Sequence, residues 1–167
     1  MDKEKLLVVV DESIASKRAL EYVAKMIGGR QDIRVCLTHT LPSLPPELRE
    51  ISIVNDPKQE SVRGAAFKAA QTQSILTEER EVQPILDWAS DVLRKAGLPA
   101  EAIETAVCYP ADGSAATGEI LEIARKRACQ TVVLGRESLS WLGELIHSDP
   151  AEELVRLGKG LTIWVVE

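Results

Sequence analysis

Cysteine is scarce in this sequence, and no two of the three are spaced as a pair. Cys36, Cys108 and Cys129 form no C-x-x-C and are odd in number, which disfavours a disulfide framework or a zinc knuckle and suits reduced thiols in a core. Cys36 and His39 have a C-x-x-H spacing, but on an alternating strand they face opposite sides, so packing is the expected role of the thiol. No apolar run approaches the roughly 18 residues of a membrane-spanning helix. The opening stretch MDKEKLLVVVDES is charged and then turns acidic, unlike a secretory signal, so a cytoplasmic protein with no membrane partner is expected. Long basic runs are missing too, the longest being Arg-Lys-Arg at 125–127. With 26 acidic against 20 basic residues the net charge is −6, which argues against a nucleic-acid partner whose phosphates must be neutralised.

What is present is an ordinary globular composition, 45% hydrophobic and 28% charged, in 167 residues. That length suits one domain, read as 1–167, with enough chain to bury a substantial core. KLLVVV at 5–10 is a continuous aliphatic run, as in a central parallel strand covered on both faces. A helix capped by Ser13 follows, with an apolar face through Leu20, Val23 and Ile27, and stops at Gly28-Gly29. DIRVCLTHT reads as the second strand, and the proline-rich LPSLPPE after it continues neither ladder nor helix.

Two helical segments are expected next. The first is SVRGAAFKAAQTQSIL, after a start signal at Asp56-Pro57; the second is EEREVQPILDWASDVLRKAGL, which Pro84 should break, kink or begin anew. The acidic stretch TEERE at 77–81 reads as a solvated helix face. AIETAVCY, TVVLG and LTIWVV read as the third, fourth and fifth strands, with an amphipathic helix through Ile120 and Ile123 between the third and fourth. The last helix, DPAEELVRLG, has Asp149 at its N-cap, Pro150 at N1 and Gly158 as its C-cap. Strands alternating with helices predict a doubly wound parallel α/β sheet, whose ligands sit beyond the carboxyl ends of the strands where the strand order reverses. The candidate site is therefore built from Asp11, the His39-Thr40 region and the loop from Gly135 to Ser148.

The order and spacing of LLVVVDESIASKRALEYV, His39-Thr40, Gly113 seven residues before Ile120, and ACQTVVLGRESLSWLGELIHSDPAEELV resemble the universal stress proteins over nearly the whole chain. The resemblance implies a five-stranded sheet of order 3-2-1-4-5, like that of the adenine nucleotide alpha hydrolases, and a homodimer paired through the last strand, with Leu161, Ile163, Trp164 and Val165 at the edge. An uncovered apolar edge strand fits that pairing. Nucleotide-binding members carry Gly-x2-Gly-x9-Gly-(Ser/Thr) with an aspartate after strand one. Carried over, Asp11 matches the acid and Gly135 the first glycine, whereas Ser138, Ser148 and Asp149 stand at the other three places and Thr40 where an aliphatic residue is usual.

Serine brings a Cβ where glycine would let backbone N–H groups approach an anion. Asp149 departs further. Capping the helix, its carboxylate takes the N–H groups a phosphate would use and repels a phosphate about 5 Å away by roughly 3 kcal/mol, on the order of a hundredfold in affinity. The expectation is a non-catalytic, dimeric stress-response or signalling module with weak or absent ATP binding, no resident cofactor, and protein partners the sequence does not name. The alternative is an ATP or AMP sensor, with Mg²⁺, in which Asp11 holds the adenosine and the 135–148 loop the phosphates. Adenylyl transfer lacks its serine-glycine-glycine loop after strand one. His147, Ser148 and Asp149 are neighbours on one loop and cannot form a hydrolase relay.

Overall fold

The computed structural model describes residues 3–41, 57–110, 116–139 and 149–167, without the side chains of 57–63. Five parallel strands, β1 (Glu4–Val9), β2 (Ile33–Thr40), β3 (Ile103–Cys108), β4 (Thr131–Gly135) and β5 (Thr162–Val166), form one sheet in the order β3-β2-β1-β4-β5. This is the expected 3-2-1-4-5 arrangement, and the order reverses between β1 and β4. Register follows the aliphatic runs: Leu6, Leu7 and Val8 of β1 lie opposite Val35, Cys36 and Leu37 on one side and Thr131, Val132 and Val133 on the other.

Because side chains alternate along a strand, β1 feeds two cores. Leu6 and Val8 join Leu20 and Val23 of α1 (Ile14–Ile27) and Leu86 and Leu93 of α2 (Pro57–Lys95). Leu7 and Val9 join Ile120 of α3 (Ala116–Lys126) and Leu154 of α4 (Pro150–Leu157) on the opposite face. Each fully buried leucine contributes about 1.5–3 kcal/mol. Cys36, Cys108 and Cys129 are free and buried in the second core, as expected. Burial pushes the Cys108 thiol up to about 12 and that of Cys129 up to about 11, so both stay protonated and unreactive at neutral pH.

The two helical segments expected across residues 61–98 are one helix. α2 runs 39 residues with Pro84 inside it, so the proline neither ends the helix nor begins a new one. Proline cannot bond the carbonyl four residues back, a cost of about 3 kcal/mol or more in a helix interior. The apolar face carries the helix past it, since Val82, Leu86, Ala89 and Leu93 are buried on both sides of the proline while Pro84 itself points outward. From Gly64 to Glu81, by contrast, no side chain is buried. The proline-rich stretch after β2, together with Gly113 and Trp141, lies outside the described residues.

β5 is the outer strand, and from Ile163 to Val166 its residues are only half-buried, whereas all five of the neighbouring β4 are buried. Leu161, predicted within the strand, instead stands just before it, because its N–H closes a turn onto the Gly158 carbonyl at 3.0 Å. Trp164 packs edge-on against Tyr22 of α1, with ring centroids 6.1 Å apart.

Candidate functional site

The loop after β1 turns at Asp11, which is 8% exposed. Its Oδ1 accepts the Ser13 N–H at 2.8 Å, its own N–H donates to Ser16 Oγ at 2.8 Å, and Ser13 Oγ accepts from the Ser16 N–H as the expected N-cap of α1. The other carboxylate oxygen crosses the point of strand reversal and accepts the Leu139 N–H at 3.1 Å. Leu139 is buried and holds a left-handed backbone (φ 67°), uncommon for a leucine. Asp11 thus ties two of the three loops expected to form the site.

Gly135 ends β4. A Cβ there would lie 2.4 Å from the backbone carbon and oxygen of Ala15, so this glycine lets the start of α1 pack directly on β4. The first glycine of the phosphate-loop pattern is therefore required by packing whether or not an anion binds. Ser138 follows in a turn in which its N–H donates to the Gly135 carbonyl at 3.0 Å. Its side chain is fully buried and its hydroxyl has no hydrogen-bond partner among the described residues. Asp149 is the N-cap of α4 as expected. Its Oδ1 accepts the Ala151 N–H at 2.9 Å, Pro150 begins the helix, and Oδ2 lies 3.5 Å from the Arg136 guanidinium. Arg136 also pairs with Glu167, whose hydrogen bond raises the guanidinium's pKa. Ser148, like the rest of 140–148, lies outside the described residues.

At the end of β2, Thr40 is 2% exposed, with its side chain beside the Cys108 thiol. With Asp11, Glu12, Ser13, His39 and Leu41 it lines a cavity of about 450 Å³ whose far wall is α2, through Glu78, Glu81, Val82 and Ile85. His39 Nδ1 is 2.8 Å from the Val10 carbonyl, which can only accept, so Nδ1 carries the proton. His39 thus serves the cavity on the α2 face while Cys36 is in the core beneath α3, on opposite sides of β2 as expected. A second cavity of about 440 Å³ adjoins the first, sharing Asp11, Glu12 and Ile85 and extending to Lys17, Pro84 and Trp88.

The stretch 77–81 is therefore more than a solvated face: Glu78 and Glu81 line the cavity and Glu79 accepts the Tyr109 hydroxyl. Partial burial raises the Glu78 carboxyl's pKa, and the neighbouring Glu81 charge adds to it. The signal was in the spacing, since 78, 81, 82 and 85 fall on one helical face with the apolar Val82 and Ile85. Among the described residues no group of three or more His, Cys, Asp or Glu could hold a metal ion, and no helix is long and apolar enough to cross a membrane.

A parallel sheet whose order reverses between β1 and β4, with a cavity over the carboxyl ends of β1 and β2, defines a Rossmann-like α/β protein. The sequence profile of the universal stress protein family matches residues 3–160, and the chain belongs to that family. No curated protein matches it. Similar solved structures include a universal stress protein family member from Burkholderia pseudomallei (16% identity, TM-score 0.60, covering 98% of this chain and 96% of that one). Another is a universal stress protein in complex with cAMP (18% identity, TM-score 0.59, 98% and 96%). A third is the Archaeoglobus fulgidus protein in complex with dAMP (17% identity, TM-score 0.57, 100% of both chains).

Proposed function

We propose that this universal stress protein is a cytoplasmic, non-catalytic, dimeric stress-response or signalling module that binds ATP weakly or not at all. One observation carries the reading: the Asp149 carboxylate caps α4 and contacts Arg136, so the helix N-terminus and the nearby guanidinium already have an anion. A phosphate would have to displace a covalently attached competitor and then sit beside its charge. Asp11 is committed as well, with each carboxylate oxygen on a backbone N–H. Dimerisation rests on β5, an edge strand half-exposed on both faces.

The second reading is an ATP or AMP sensor with Mg²⁺. It is favoured by the two structural neighbours, one described in complex with cAMP and the other with dAMP, and by the cavity beside Asp11. Isothermal titration of the purified protein with ATP and with AMP, each with Mg²⁺, separates the two, after mass spectrometry has checked for co-purified nucleotide. Micromolar binding hands the function to the sensor; no heat and no bound nucleotide leave the interaction module. Sedimentation of the same sample should give twice the chain mass, and a Val165→Lys variant should sediment as a monomer.

A further inference from the structure

The cavity between the β1–α1 turn and α2 has a charge pattern that the family resemblance does not account for. Among the described residues its charged side chains are Asp11, Glu12, Glu78 and Glu81, with no lysine or arginine. His39 donates its Nδ1 proton to the Val10 carbonyl, which leaves Nε2 as the ring atom free to meet an occupant. A complementary occupant brings donors and positive charge. A metal ion does not meet this need, because no three of these groups converge on one point among the described residues. The adjoining cavity is apolar on its outer wall, where Trp88, 38% exposed, stands with Pro84 and Ile85. At about 450 Å³ the acidic part is the size of a small-molecule site.

We infer that this cleft binds a small organic cation, an ammonium group carried on an apolar or aromatic body, with the ammonium among Glu78, Glu81, Glu12 and His39 and the body against Pro84, Ile85 and Trp88. The ammonium supplies three donors to a lining of acceptors, and the exposed tryptophan offers a π face to a cation or a stacking surface to a ring. Glu78 and Glu81, one turn apart on α2, repel each other less when a positive charge lies between them. Lys17 lines the second cavity and not the acidic one. The inference rests on the reading that no polyphosphate holds this cleft.

The test uses one ring with three charges: tryptamine, tryptophol and indole-3-acetate, titrated into the full chain by calorimetry and by amide chemical shifts. Tryptamine should bind at least about tenfold tighter than tryptophol, indole-3-acetate should not bind, and shifts should centre on His39, Glu78, Glu81 and Trp88. A Glu78→Gln/Glu81→Gln variant, altering two side chains outside the core, should keep its circular dichroism and lose about tenfold or more in tryptamine affinity. Failure of tryptamine to bind at millimolar concentration, equal binding of tryptophol, or an unchanged affinity in the double variant would each overturn the inference. Adding ATP with Mg²⁺ to the tryptamine-loaded sample separates the two readings. ATP that binds without releasing tryptamine removes the weak-nucleotide reading alone; ATP that releases it removes both.

Discussion

The carboxylate of Asp11 accepts the backbone N–H of Leu139 from 128 residues away at 3.1 Å, fastening the turn after β1 to the turn after β4 across the line where the sheet reverses. Asp11 also starts α1 through the Ser13 N–H. The acid that the family resemblance assigns to a ligand is, in this chain, a structural clip between two site loops. Asp11→Asn keeps the shape but turns one acceptor into a donor facing a backbone N–H that is then unpaired. The expected loss is about 1–3 kcal/mol of folding free energy, measured by urea denaturation at pH 7. A variant as stable as wild type would mean that the clip contributes nothing.

Gly135 is explained by Ala15. A methyl group on Gly135 meets backbone atoms of α1 at 2.4 Å, and backbone cannot give way as a flexible side chain can. Gly135→Ala should therefore destabilise the fold by about 1–3 kcal/mol or more. Gly118→Ala, in α3 with nothing within 4 Å of the added carbon, should be neutral or stabilise by up to about 1 kcal/mol. Thermal melts of the two variants side by side check the pair. Equal melting temperatures would contradict the close-approach explanation.

The contrast between these positions shows what the sequence could carry. α4 was legible to the residue because its signals are local: Asp149 caps it, Pro150 opens it and Gly158 closes it within ten positions. β1 and β4 were legible because an uninterrupted valine and leucine run has one home in an α/β fold, the middle of the sheet. α2 was misread at Pro84 because a local rule met a tertiary one, the buried stripe from Val82 to Leu93. The acidic wall of the cavity was missed for a related reason. Glu78 and Glu81 look solvated by composition, and only the seating of α2 beside His39 turns them toward the turn after β1. The meaning of Gly135 lay with Ala15, 120 residues away, where no spacing rule reaches.

The phosphate loop gives a gain-of-function expectation. Replacing Asp149 by Ser keeps an N-cap hydroxyl and removes the carboxylate charge, leaving Arg136 paired with Glu167 alone, while Ser138→Gly and Ser148→Gly restore the glycines of the nucleotide-binding pattern. The triple variant should bind ATP on the order of a hundredfold more tightly than wild type, from about 3 kcal/mol of removed repulsion. Calorimetry with ATP and Mg²⁺ reads this directly. No gain over wild type would show that Asp149 is not what keeps ATP out.

Two buried hydroxyls, Thr38 and Ser138, meet no hydrogen-bond partner among the described residues, and both lie toward the carboxyl end of the sheet. A hydroxyl stripped of water without a replacement bond costs about 1–3 kcal/mol, so the protein keeps these groups against its own stability. Thr38 is the cleanest probe: it is fully buried on β2 opposite Val9 of β1, and valine has nearly its shape. Thr38→Val should raise stability by about 1 kcal/mol, a shift of roughly 2–4 °C in melting temperature for a chain of this size. A drop instead of a rise would mean that the hydroxyl is satisfied in solution by an ordered water.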